Sequence, residues 1–177
     1  MDIIIPKKLS IGDKVAIISP AGFATKEKID SVVRAVLDLD LEPVVHDQAG
    51  QSLGYLAGSD SSRVSAIHDS FVNKDIKAIF CVRGGYGCSR IIDKLDYELI
   101  KSNPKILLGM SDITALQSAI LAKTGLVTYH GPMSLHFSGS EREFALDNLK
   151  SVLIDGENEI ELTGVRVLQD GIVDGQL

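Results

Sequence analysis

Short apolar runs alternate along this chain with segments of helical periodicity, and that order limits the fold more than any single motif does. Lys14 to Ser19 reads as a first strand. After the Ser19-Pro20-Ala21-Gly22 break, Ile29, Val32, Val33, Val36 and Leu37 recur at three- and four-residue steps, which lays one apolar stripe along a helix. Pro43 to His46 suggests a second strand, followed by a polar, Gly-containing loop from Asp47 to Ser59 and a helix with Val64, Ile67 and Phe71 on one side. Ala78 to Val82, Ile106 to Gly109 and Val127 to Tyr129 supply three further strands. Between them lie a helical stretch through Ile100 and a helix carrying Ile113, Leu116, Ile120 and Leu121. Glu141 to Leu153, with Ala145, Leu149, Val152 and Leu153 along one face, is the closing helix. Such alternation predicts an α/β fold: an open, mostly parallel sheet of about five strands with helices on both faces, flavodoxin/Rossmann-like in kind.

Beyond Asp155 the texture changes. Ile160, Leu162, Val165, Val167 and Leu168 interleave with polar residues in strand fashion, and no helix follows. Residues 1–155 are therefore expected to form one domain, and residues 156–177 a linker and the beginning of a second. Strand-like residues without partners present an open edge, so the tail from Glu159 to Leu177 is expected to pair with another copy, as in a homodimer, or to stay mobile.

Composition narrows the function. With 177 residues, 45% of them hydrophobic and 24% charged, the chain can bury one substantial core. A net charge of −6 and the lack of any basic run argue against a nucleic-acid partner, since phosphate backbones are bound through clustered Lys and Arg. Lys7-Lys8 reads as solvated surface. Cys81 and Cys88 form neither a C-x-x-C pair nor a zinc pattern, and Cys81 in an apolar strand suits a reduced, packed thiol in a reducing compartment. No His, Cys or carboxylate spacing suggests a metal or cofactor. The Ile3-Ile4-Ile5 run before Pro6 is too short for a signal peptide, and nothing is long enough to span a bilayer. The expectation is a cytoplasmic chain with no membrane partner.

In open parallel sheets, sites gather at the carboxyl ends of strands. Ser19 to Gly22, Arg83 to Gly87, Gly109 to Asp112 and His130 to Pro132 each follow a strand and should share that edge. Ser111 sits where a strand turns into a helix, a place that exposes a hydroxyl beside unpaired helix amides and suits a nucleophile. The same position suits a plain helix N-cap, and Ile113 stands where the hydrolase elbow G-x-S-x-G has its second glycine. Gly84 and Gly85 lack Cβ atoms, so their backbone can approach a ligand and cradle an oxyanion, or can simply make a tight turn. The loop carries no nucleotide-binding glycine pattern. Ser19, Gly84, Tyr86 and His130 are read as pocket residues, with Tyr86 a wall. Arg63, Arg83 and Lys105 can recognise an anionic substrate or pair with surface carboxylates, the second being the default.

Several motifs in order give the chain a resemblance: Ile18-Ser19-Pro20; Ala57-Gly58-Ser59-Asp60 with Arg63; Arg83-Gly84-Gly85-Tyr86-Gly87; Asn103-Pro104-Lys105; Gly109-Met110-Ser111-Asp112-Ile113-Thr114; and His130-Gly131-Pro132. Over almost its whole length it resembles the N-terminal half of the LD-carboxypeptidases, serine peptidases that include muramoyl-tetrapeptide carboxypeptidases and microcin-immunity peptidases. The resemblance implies that Ser111 is the nucleophile and that the backbone amides of Gly85 and Asp112 form the oxyanion hole. It implies a peptide substrate ending in a D-amino acid, no cofactor, and a His and a Glu contributed by a C-terminal domain. His130 is the local substitute for that base, although a structural role suits it better. Two other readings stay open at this point: a microcin-immunity type peptidase acting on a peptidyl or aminoacyl nucleotide, and a non-catalytic domain that binds an acidic small molecule.

Overall fold

A computed structural model describes residues 2–157, together with Arg166 and Gly171. The strand-like tail and the second domain expected beyond Asp155 lie, from residue 158 onward, almost wholly outside the described residues. Among the described residues five strands form one parallel sheet: β1 (Lys14–Ile18), β2 (Glu42–Val45), β3 (Ile76–Cys81), β4 (Ile106–Gly109) and β5 (Tyr129–His130), in the order β2-β1-β3-β4-β5. Each neighbouring pair is parallel, with Ile17 opposite both Val45 and Phe80. The strand order reverses between β1 and β3, the place where open α/β sheets hold their ligands. Among the described residues, five α-helices flank the sheet: α1 (Lys26–Asp38), α2 (Asp60–Val72), α3 (Tyr97–Ser102), α4 (Ile113–Thr124) and α5 (Arg142–Lys150).

Strands covered on both faces need apolar residues at every position, which explains runs such as Val15-Ala16-Ile17-Ile18 and Ile106-Leu107-Leu108. Val15, Ile17, Phe80, Ile106 and Leu108 pack with Val32 and Val36 of α1 and Ala145 and Leu149 of α5. Ala16, Ile18, Ile79 and Leu107 turn to the other face, against Ile67 and Phe71 of α2, Ile100 of α3 and Leu116 and Ile120 of α4. The expected open sheet with helices on both faces is therefore what the chain forms.

Local differences have identifiable causes. Leu37 is 53% exposed, because the buried face of α1 centres on Val32, Ala35 and Val36 and one further residue rotates the side chain away. The helical stretch expected before Ile100 breaks into two 3-10 turns, Cys88–Arg90 and Ile92–Lys94, before α3. Asp96 restarts the helix by accepting from the amide of Leu99 at 2.9 Å, while its own amide donates to His68 Nε2 at 2.9 Å. The closing helix changes after Lys150 into a π-helical turn, Ser151–Asp155. No helix among the described residues is long and apolar enough to cross a membrane.

Arg63 ties the carboxyl edge together. Its side chain is fully buried, and Nη1 donates to Pro20 O and to Gly87 O, both at 2.8 Å, so one guanidinium joins the loops after β1 and β3. Nη2 donates to Asp60 Oδ1 at 2.5 Å. Asp60 also receives Lys94 Nζ at 2.6 Å and Arg90 Nε at 3.1 Å. Arg63 Nε is the one buried side-chain polar atom without a partner among the described residues. The surface-pair default fails for Arg63, and Lys105 is likewise buried, donating to Ser70 O at 3.0 Å and to Asn73 O. Burial, with Lys77 and Lys74 nearby, presses the Lys105 ammonium down to about 8.

Replacing Arg63 by Met strips donors from two interior carbonyls at roughly 1–3 kcal/mol each, so a loss of about 3 kcal/mol in urea unfolding is expected. Lys94 first, then Arg90 and Arg63, hold the Asp60 carboxyl well below its ordinary value of 3.8. A carboxyl lowered in the folded state stabilises fully above its unfolded value and loses that contribution as pH falls through the folded one. The chain should therefore lose stability below about pH 4, and Asp60→Asn should flatten that part of the pH profile in thermal melts. Burial also pushes both thiols, Cys81 and Cys88, well up from their ordinary range. A disulfide reagent such as DTNB should leave both unmodified in the native chain and label both in denaturant.

Candidate active site

Ser111 lies two residues beyond the end of β4 and two before the start of α4, with φ +61. A residue with a Cβ in this left-handed region is strained by about 1–3 kcal/mol and persists only where its surroundings impose it. Here the backbone is pinned by Thr114 N donating to Ser111 O at 2.9 Å and Ile113 N donating to Met110 O at 3.2 Å. The turn leaves Ser111 exposed, and its hydroxyl makes no hydrogen bond among the described residues. The N-cap reading therefore does not describe it: Asp112 holds the cap position, and no side chain caps α4. The missing second glycine of the elbow is offset from the other side, since a Cβ on Gly109 would lie 2.8 Å from Ile113 Cγ2.

The Gly-rich loop after β3 meets this turn directly. A Cβ on Gly84 would sit 2.8 Å from Ser111 Cβ, 3.0 Å from its Oγ and 3.2 Å from Asp112 N, so only glycine fits there. Gly85 follows with φ +116. Among the described residues neither Gly85 N nor Asp112 N donates to any acceptor. The Asp112 carboxylate links the two loops from behind, accepting from Cys88 N at 2.9 Å. A free hydroxyl thus stands against Gly84, near the unspent Asp112 amide and with the unspent Gly85 amide next along the loop, and donors of this kind can stabilise an oxyanion. Among the described residues no group of His, Cys, Asp and Glu is placed to hold a metal.

The remaining pocket residues divide. Tyr86 is 56% exposed on the loop. His130 ends β5, opposite Gly109 in register, and is exposed with no hydrogen bond to Ser111. Ser19 is fully buried and its Oγ donates to Ala49 O at 2.8 Å, while Gln48 Nε2 bridges Ser19 O and Ala57 O at 2.8 and 2.6 Å. Ser19 is therefore a brace beneath the edge. Sequence reading missed Tyr55, whose Oη would touch a Cβ on Gly85 at 3.1 Å and whose ring centroid lies 5.9 Å from the Arg83 guanidinium. An exposed aromatic in a polar loop carries no periodic signal that would single it out.

With this geometry in view, likeness to known proteins becomes informative. Residues 15–131 match the family model described as the LD-carboxypeptidase N-terminal domain. A probable murein peptide carboxypeptidase of Bacillus subtilis is 41% identical over 128 residues, which cover 72% of this chain and 40% of that protein. The crystal structure of an MccF-like protein from Bacillus anthracis superposes with a TM-score of 0.80 at 36% identity, over 85% of this chain and 47% of that one. The chain spans about half the length of the curated relatives it matches, between 40% and 54% for three of them.

One expectation is corrected by these relatives. A microcin self-immunity protein MccF, at TM-score 0.79 and 26% identity over 85% of this chain and 47% of that one, is in complex with adenosine monophosphate, and MccF is also known in complex with aspartyl sulfamoyl adenosine. The exclusion of nucleic-acid chemistry from the partners therefore does not stand. Net charge and basic runs report on binding to a polyanionic backbone. A single nucleotide needs only a few amides and an apolar wall, which no charge count detects. The serine turn, the glycine loop and the match over residues 15–131 agree, and the chain belongs to the LD-carboxypeptidase N-terminal domain family.

Proposed function

We propose that this chain is the nucleophile and oxyanion half of a serine carboxypeptidase that cleaves an L,D-peptide bond, such as that holding the terminal D-Ala of a murein tetrapeptide. The observation that carries this reading is the exposed Ser111 hydroxyl on a left-handed turn, pressed against Gly84 and beside the unspent amides of Gly85 and Asp112. Ser111 Oγ attacks the carbonyl carbon while its proton passes to a base, and the carbonyl oxygen becomes an alkoxide facing the two amides. Collapse breaks the C–N bond, the base returns the proton to the departing D-amino acid, and water then hydrolyses the acyl-enzyme. Donors set in place before reaction need no reorganisation when the charge appears.

The base and the group that orients it are, in this reading, supplied from outside residues 1–157. In support, no side chain among the described residues, His130 included, hydrogen-bonds Ser111 Oγ. The buried, reduced thiols suit a cytoplasmic setting. A second reading, hydrolysis of a peptidyl or aminoacyl nucleotide, is favoured by the adenosine monophosphate and the aspartyl sulfamoyl adenosine held by the MccF relatives. Both use the same nucleophile and differ in what fills the leaving-group side.

In the intact gene product, D-Ala release from a murein tetrapeptide is expected to fall more than about ten-thousand-fold in Ser111→Ala. Undiminished release would return the domain to a binding role. Gly84→Ala, which forces a methyl onto the nucleophile, should cost about a hundredfold with the fold intact by circular dichroism. Residues 1–177 alone should give negligible turnover, and Ser111-dependent hydrolysis by them would place the base within this chain.

A further inference from the structure

The proposed hole depends on which way one peptide unit faces. The amide of Gly85 belongs to the same planar trans unit as the carbonyl of Gly84, and the two point in opposite directions. A glycine on each side leaves that unit little intrinsic preference, since neither residue has a Cβ to block rotation. Turned over, it would present a carbonyl oxygen to the developing alkoxide and repel it. Something outside the Gly84-Gly85 pair has to hold it.

Two donors meet on Gly84 O: the amide of Gly22 at 3.2 Å and Arg83 Nε at 3.1 Å. Arg83 is itself fixed, with Nη1 donating to Phe23 O at 3.1 Å and the guanidinium 5.9 Å from the Tyr55 ring centroid. Phe23 N donates to Tyr55 O at 3.0 Å, which closes the ring of contacts. Arg83 Nη2 and Tyr55 Oη each lie 3.1 Å from where a Cβ on Gly85 would stand, so they wall the peptide as well. Half-buried and already bonded to two carbonyls, Arg83 does not have the free fork that capture of a substrate carboxylate uses.

Resting on the serine-peptidase reading above, we propose that Arg83 is a positioning residue: it grips the Gly84 carbonyl and thereby aims the Gly85 amide at the oxyanion. It touches no reacting atom. Its contribution appears as the charge develops, so it belongs to kcat.

Arg83→Met in the intact gene product should lower kcat for D-Ala release about 10- to 100-fold and leave KM within about threefold. Gly22→Ala keeps the arginine but crowds its grip on the same carbonyl, since its methyl would stand 3.1 Å from Gly84 O and 3.4 Å from Arg83 Nε and Cζ, and should lower kcat in the same direction by a smaller factor. This second variant decides the matter if Arg83→Met does not fold. A readout independent of turnover is the ¹⁵N–¹H spectrum of the chain titrated with acetate, a small oxyanion. Acetate should shift the Gly85 and Asp112 amides in the wild type and in Ser111→Ala, but only Asp112 in Arg83→Met. An unchanged kcat, a loss confined to KM, or an undiminished Gly85 shift in Arg83→Met overturns the role given to Arg83 and leaves the serine reading standing. Full activity in Ser111→Ala, or no shift of either amide in the wild type, removes the serine reading and this inference with it.

Discussion

The close contact between the backbone of Gly84 and the turn at Ser111 is the constraint on which the rest of the site depends. A strand ending at Gly109 and a helix starting at Ile113 leave three residues to reverse direction, and the chain manages it by putting Ser111 in the left-handed region. The turn packs against Gly84 because that residue has no Cβ, and Ile113 packs over Gly109 for the same reason. Strain in the turn, absence of side chains in the loop and exposure of the hydroxyl are thus one arrangement seen from three sides.

Around this contact the fold supplies rigidity. Arg63 holds the loops after β1 and β3 from below, Asp112 ties its own turn to Cys88, and Gln48 fastens Ser19 to the segment before α2. All of these bonds end on backbone atoms of loops at the carboxyl edge. Side chains that look like ligands for an acidic substrate in the sequence are used here to hold backbone in place, and the proposed function gives the substrate to the amides instead. Catalytic groups set by such a shell keep their geometry during reaction.

The sheet and its helices were legible because burial on both faces demands uninterrupted apolar strands, and amphipathic helices announce themselves by period. The edge loops were legible as a set, since parallel strands bring them to one side. Ser111 could be singled out from the strand-to-helix turn, but that it does not cap the helix depended on a backbone angle that composition does not encode. Ser19 and Arg63 were misread for a related reason: a polar residue at the carboxyl edge, whether after a strand or in the first turn of α2, can face the pocket or support it from beneath, and only depth distinguishes the two. Leu37 shows the limit of periodicity, where one residue at the margin of a stripe lies in solvent. Tyr55 and the partners of Arg83 could not be anticipated, because they are joined by loops far apart in sequence. The adenosine compounds bound by relatives lay beyond a charge argument suited to polymers.

The most direct test of the central claim is a crystal structure of this domain, within a protein of its relatives' full length, after reaction with a peptidyl phosphonate. The adduct should form on Ser111 Oγ, with one phosphonyl oxygen about 2.7–3.1 Å from both Gly85 N and Asp112 N. A phosphonyl oxygen turned to solvent, or a bond to any other residue, would contradict the account.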